Sequence, residues 1–255
     1  MRLTRCYLPG KWLEGTSTAL PRAQSDHLIR VLRLRSGAVV EVFDGEGHRW
    51  NATVMGAERG SYQLQIGTAL ADEPAARIQL TLLQGIARGE KMDWIVQKAT
   101  ELGVYAIQPL TTEFSVVRVD TRQSERKAGH WQAVARSACE QCGRSRVPIV
   151  SSPIELREFA NAAPMESDTR LWLLDPGASA SLVQVVDRLR GQHAIPERLQ
   201  IVVGPEGGLS TAEQQQLVAR GATPLGLGPR ILRSETAALT ALALLQGMLG
   251  DLGNC

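Results

Sequence analysis

Two glycine-rich loops near the carboxyl terminus constrain this chain more than any other feature. Ile201-Val202-Val203-Gly204-Pro205-Glu206-Gly207-Gly208-Leu209-Ser210 runs from an apolar strand into a loop and then a helix start. Leu227-Gly228-Pro229-Arg230-Ile231-Leu232-Arg233-Ser234-Glu235-Thr236-Ala237 repeats that plan shortly afterwards. Glycine lets backbone approach a ligand closely, and proline stiffens the bend. Loops at the carboxyl ends of strands are where open α/β sheets bind ligands. The pair can line a pocket with backbone N–H and C=O groups, with a carboxylate in each loop and arginines in the second. Such a pocket suits an adenosine-type ligand beside a polar reaction site.

The first loop is not the G-x-G-x-x-G of a dinucleotide fold, because its glycine spacing differs. Gly85-Ile86-Ala87-Arg88-Gly89-Glu90-Lys91 is not a P-loop, since Met92 stands where a magnesium-binding Ser or Thr is needed. Nucleotide hydrolysis is disfavoured on both counts.

The rest of the chain supports a well-formed core. Its 255 residues suffice for one large domain or two ordinary ones. With 44% hydrophobic and 21% charged residues, disorder is not expected. The longest apolar run, Ala237 to Leu249, is too short to cross a bilayer, and the N-terminus has no signal-peptide core, so a cytoplasmic protein is expected. Four cysteines give no disulfide framework at this size. Cys139-Glu140-Gln141-Cys142 has the C-x-x-C spacing but lacks a second ligand pair for zinc and lies late in a helical pattern, so both cysteines read as ordinary helix residues and no metal is expected. The net charge of +2 hides two basic segments. Residues 1–35 carry seven Arg and Lys against two acids, and residues 118–146 carry seven against three. Segments of this kind match a phosphate-contacting surface.

Periodicity divides the chain. Short strands such as Val39–Phe43 and Trp50–Val54, with Asp44-Gly45 and Arg59-Gly60 turns and one helix near Ser25–Leu34, predict a small β-barrel over residues 1–70. Residues 69–77 read as a linker. Residues 78–255 then alternate strands (Ile78–Leu83, Leu171–Leu174, Leu199–Val203) with helices (Met92–Leu102, Ser124–Cys142, Ser210–Gly221, and Ser234 or Glu235 to Leu249), which predicts an α/β domain with a largely parallel sheet. Ser210-Thr211-Ala212-Glu213 has capping-box spacing. The five tryptophans, Trp12, Trp50, Trp94, Trp131 and Trp172, read as core anchors.

The two loops together resemble the cofactor-loop motifs of the SPOUT methyltransferases, and most closely those of the small-subunit ribosomal RNA uracil-N3 methyltransferase family. The resemblance covers nearly the whole chain. It takes in His27-Leu28 with Val31-Leu32-Arg33-Leu34-Arg35, then Lys91, Asp93 and Lys98-Ala99-Thr100-Glu101-Leu102-Gly103. It continues through Ser124-Glu125-Arg126 and Glu140-Gln141-Cys142-Gly143-Arg144 with Val147-Pro148. This resemblance implies an N-terminal PUA-like β-barrel, a C-terminal trefoil-knotted α/β domain, a homodimer, and S-adenosyl-L-methionine as methyl donor to N3 of a uridine in 16S ribosomal RNA within the 30S subunit. A ribose 2′-O-methyltransferase of the same fold, or a non-catalytic RNA-binding assembly factor, are the competing readings.

On that basis Leu173, Leu174, Gly204, Pro205, Gly208, Leu227, Gly228, Ile231, Leu232, Thr236 and Ala237 are expected in the cofactor pocket. Arg233, Glu235 and Glu206 are expected at the reacting face. N3 of uracil is weakly acidic, so a carboxylate can accept its proton and an arginine can stabilise the developing charge. Glu235 can equally serve the N-terminus of a helix, and Glu206 can brace its loop. Arg5, His27, Arg30, Arg33, Gln141 and Arg144 are expected to contact RNA, with the target base unpaired or flipped.

Overall fold

The computed structural model describes residues 3–21, 25, 34–58, 61–115, 121–163 and 165–252, which form two compact units. The first comprises residues 1–75 and 136–147, and the second residues 76–135 and 148–255. The chain leaves the first unit after Ala75 and returns to it for residues 136–147. The inclusion of residues 136–147 in the first unit was not foreseen, because their helical pattern continues that of the residues before them.

In the first unit, β1 (Thr4–Tyr7), β2 (Ser17–Ala19), β3 (Val39–Phe43), β4 (Arg49–Glu58) and β5 (Ser61–Leu70) make one five-stranded sheet in the order β1-β3-β4-β5-β2. The β1–β3 pair is parallel and the other three are antiparallel. Alternation places Val40 and Val42, Ala52 and Val54, and Tyr62, Leu64 and Ile66 on one buried face with Cys6, Leu8 and Leu20. The expected helix near Ser25–Leu34 falls mostly outside the described residues.

Residues 136–147 are tied into this unit by polar contacts. The Glu73 carboxylate accepts from the N–H groups of Ser145 and Arg146, and the Tyr7 N–H donates to Glu140 at 3.0 Å. Burial pushes the Cys6 and Cys139 thiols up to about 12. Cys139 and Cys142 are free thiols near the end of a helix.

The second unit contains β6 (Gln79–Gly85), α1 (Lys91–Glu101), β7 (Ala106–Thr111), the first part of α2 (Thr121–Cys142), β8 (Ile149–Val150), β9 (Ile154–Glu155) and α3 (Leu156–Asn161). It continues with β10 (Thr169–Leu174), α4 (Leu182–Gly191), β11 (Arg198–Val203), α5 (Thr211–Ala219), β12 (Thr223–Leu225) and α6 (Ser234–Met248). Its sheet has the order β12-β10-β11-β6-β7-β8, every ladder is parallel, and β9 also pairs with β7. The chain therefore builds outward from β6 on one side and then returns to add β10, β11 and β12 on the other. Central strands buried on both faces read as apolar runs, as Leu80, Leu82, Leu199, Ile201 and Val202 do.

The predicted capping box is present. Ser210 Oγ accepts from Glu213 N–H, and the Ser210 N–H donates to Glu213 Oε2 at 2.9 Å. Trp50, Trp131 and Trp172 are buried, whereas Trp94 is 45% exposed, contrary to its expected role as a core anchor. The buried face of α1 is set by Met92, Ile95, Val96 and Ala99, and Trp94 lies off that stripe. No helix among the described residues is long and apolar enough to cross a membrane.

Candidate active site

A cleft of about 410 Å³ opens at the carboxyl ends of β10, β11 and β12, within the volume range of small-molecule sites. Leu173, Leu174, Leu225 and Leu227 give it apolar walls, and the two glycine loops form its edges. Of the expected cofactor residues, Leu173, Leu174, Gly204, Pro205, Gly208, Leu227, Gly228, Ile231, Leu232 and Ala237 line it. Thr236 does not. It is exposed on α6, because a helix turns about 100° per residue and carries it away from the face shared by Ser234 and Ala237.

The loops take their shape from specific contacts. Gly208 has φ +73° and its N–H donates to the Pro205 carbonyl at 2.9 Å, closing a turn that an L side chain would strain. A side chain on Gly85, at the end of β6, would lie 2.5 Å from Pro205, so only glycine lets the first loop pass over that strand. Ser234 Oγ donates to the Gly204 carbonyl and accepts from Gln84 Nε2 at 2.9 Å, which fixes the start of α6 against the first loop. The segment after β12 runs beside residues 175–182. There Gly226 N–H donates to the Ala180 carbonyl at 2.8 Å, and Leu182 N–H donates to the Gly226 carbonyl at 3.0 Å.

Two of the three expected reacting residues, Glu206 and Glu235, meet at one lysine. Lys91 Nζ lies 3.2 Å from Glu206 Oε1 and 3.4 Å from Glu235 Oε1. Glu206, Arg233 and Lys91 all line the cleft, and Glu235, in the first turn of α6, is paired with Lys91. Partial burial raises the Glu206 carboxyl, but its own N–H, the Arg88 N–H at 3.2 Å and the Lys91 ammonium outweigh that effect and hold it below the usual carboxylate value. Glu235 Oε2 is buried and has no hydrogen-bond partner among the described residues. Sequence reasoning gave Lys91 no role and missed Asp175, Gln214 and Arg230 in the lining. The glutamates that Lys91 meets are more than a hundred residues away, so no local pattern could have shown that contact.

Of the residues expected to contact RNA, Arg5, Gln141 and Arg144 are described, and all three belong to the first unit. Arg5 is buried. Its guanidinium donates to Ser145 Oγ at 2.8 Å and to the Arg144 carbonyl at 3.0 Å, pairs with Glu41 at 3.3 Å, and stacks over Phe43. It therefore binds residues 144–145 to the sheet instead of facing phosphates. Gln141 is exposed, and Arg144 is half-buried with Glu73 3.9 Å away. His27, Arg30 and Arg33 lie outside the described residues.

A parallel α/β sheet with a glycine-loop cleft at the carboxyl ends of its strands, joined to a small β unit, is the SPOUT methyltransferase arrangement with a PUA domain. Residues 74–246 match the family described as RNA methyltransferase domain, and residues 20–67 match the RNA methyltransferase PUA domain. A Legionella pneumophila methyltransferase, solved in complex with the bound cofactor SAM, has a TM-score of 0.89 and 33% identity, covering 99% of this chain and 100% of that one. A ribosomal RNA small subunit methyltransferase E from Neisseria gonorrhoeae, bound to S-adenosyl methionine, has a TM-score of 0.87 and 33% identity, covering 98% and 100%. The protein of the same name from Synechocystis is 31% identical over 241 residues, which are 94% of this chain and 76% of that one. The chain belongs to the ribosomal RNA small subunit methyltransferase E family of RNA methyltransferases.

Proposed function

We propose that this protein methylates N3 of a specific uridine in 16S ribosomal RNA, using S-adenosyl-L-methionine, in the cytoplasm and on the 30S subunit. The observation that carries this reading is the cleft itself, in which both glycine loops meet an apolar wall beside Lys91, Glu206 and Arg233. The residues present fit the cofactor. The apolar wall accepts an adenine ring, and Gly208 and Gly228 leave open space where side chains would project. Leu173, Leu174, Leu227, Ile231, Leu232 and Ala237 would enclose it, with Gly204, Pro205, Gly208 and Gly228 approaching through backbone. When bound, the cofactor supplies an electrophilic methyl group on a sulfonium centre.

The protein's own part is proton removal and charge stabilisation. Glu235 is the proton acceptor, because its Oε2 is an acceptor that no donor among the described residues uses. Glu206 is the weaker base, held ionised by two backbone N–H groups and Lys91, and it braces the loop. Arg233, exposed at the rim, faces the negative charge that develops on the base. Gln141 and Arg144 contact the RNA, as do His27, Arg30 and Arg33. A deep trefoil knot and a homodimer belong to the same reading. The exposed small residues Thr236, Ala243 and Gly247 on α6 are compatible with close packing of a second copy.

The test uses small ribosomal subunits from a strain lacking this protein, incubated with purified protein and S-adenosylmethionine. Digested RNA is examined by mass spectrometry, and new 3-methyluridine is the expected result. A ribose-methylated nucleoside would instead favour the 2′-O reading. No product and no binding of S-adenosylhomocysteine would leave an RNA-binding assembly factor.

A further inference from the structure

Lys91 is fixed before any substrate arrives. It is the first residue of α1, and its ammonium is gripped by carboxylates from two separate elements, Glu206 on the first glycine loop and Glu235 on α6. Even so it is not enclosed, since the side chain is 38% exposed and lines the cleft. An ammonium has three N–H donors. Glu206 accepts one of them at 3.2 Å, Glu235 is held as an ion pair at 3.4 Å, and among the described residues no other acceptor meets the ammonium.

A preset donor at a reaction site is worth most when it faces charge that forms only during the reaction. Uracil has a carbonyl on each side of N3, and negative charge collects on these oxygens as the N3 proton leaves. We propose that Lys91 is a further catalytic residue, donating an N–H that Glu206 does not use to the uracil carbonyl oxygen beside N3. The proposal rests on the N3 reading above. The N3–H proton passes to the Glu235 carboxylate, the N3 electron pair forms the bond to the methyl carbon, and the carbon–sulfur pair stays on sulfur. The sulfonium and carboxylate charges are both discharged in that step, whereas Lys91 stays protonated throughout. Its grip on Glu206 keeps it in place while Glu235 becomes neutral. A compact ammonium suits this task, because three donors on one atom can serve two carboxylates and a carbonyl together.

The experiment compares wild type with Lys91→Met, Lys91→Gln and Lys91→Arg in the small-subunit methylation assay. It also measures S-adenosylhomocysteine affinity, and the affinity of uridine 5′-monophosphate for the protein loaded with S-adenosylhomocysteine. Lys91→Met and Lys91→Gln should lower kcat about a hundredfold and leave S-adenosylhomocysteine affinity unchanged. Nucleotide affinity should fall about tenfold, with partial recovery of both properties in Lys91→Arg. Undiminished kcat in either neutral variant would overturn the proposal. So would a loss of kcat that simply follows loss of S-adenosylhomocysteine binding, since Lys91 would then only brace the loop. If the wild type itself makes no 3-methyluridine, the N3 reading fails. If the wild type makes it and the variants keep pace, only the role of Lys91 fails.

Discussion

Ser234 Oγ donates to the carbonyl of Gly204 at 2.5 Å, so one hydroxyl joins the start of the last helix to the first glycine loop. The same oxygen accepts from Gln84, which is wholly buried at the end of β6. Three stretches of chain far apart in sequence thus share one hydrogen-bonded atom. Ser234→Ala would leave both the Gln84 amide and the Gly204 carbonyl short of a partner in a buried place. A loss of about 1–3 kcal/mol in stability is expected, measured by denaturant unfolding, together with weaker S-adenosylhomocysteine binding.

Gly85→Ala tests the close crossing of β6 and the first loop. The added methyl would sit 2.5 Å from both Pro205 N and Cδ, atoms of a stiff ring and its backbone. The loop must move, at an overpacking cost of about 1–3 kcal/mol. Calorimetric titration should show S-adenosylhomocysteine affinity reduced, while the far-ultraviolet circular dichroism stays that of the native protein.

The two glutamates should separate in kinetics. Glu235→Gln is expected to lower kcat by about 10²–10⁴-fold with cofactor affinity retained, as loss of a general base does. Glu206→Gln should cost less in kcat and more in cofactor affinity, because that side chain holds the loop through the Arg88 N–H. Single-turnover rates paired with S-adenosylhomocysteine titrations distinguish the two patterns. The reverse pattern would assign the proton to Glu206.

Acid should weaken the Glu206 brace. Its carboxyl is depressed below the ordinary glutamate value of 4.5, so the folded state favours the ionised form. The resulting stability is present above the unfolded value and is lost as pH falls through the folded one. Thermal midpoints of wild type and Glu206→Gln should therefore differ at pH 6 and converge as the pH falls below the ordinary glutamate value and through the folded one. A gap that stays constant would mean that the carboxylate charge contributes nothing to holding the loop.

Much of this architecture is legible in the sequence because it is locally encoded. The Ser210–Glu213 capping box, the glycines of the first loop, and the apolar runs at β10 and β11 each announce their structure within a few residues. Most expected pocket residues line the cleft for the same reason, since a loop that follows a parallel strand has one place to go. What stayed hidden depends on distant partners. Arg5 sits in a basic segment and reads as a surface charge, yet Glu41, Phe43 and Ser145 enclose it. Helix α4 was missed because Val183, Gln184, Asp187 and Arg188 give it a mostly exposed and mixed face. Strand β12 is too short to carry a period.

The contribution of residues 136–147 to the first unit governs the order in which the protein can be made. A nascent chain that has emerged only through Ala75 has every strand of the small sheet, but it lacks the groups that Arg5, Tyr7 and Glu73 bind. The amino-terminal unit must wait for more than half of the polypeptide to leave the ribosome before it can close. By then β6, α1 and β7 have already been synthesised, so the first part of the molecule to begin folding is not free to finish first.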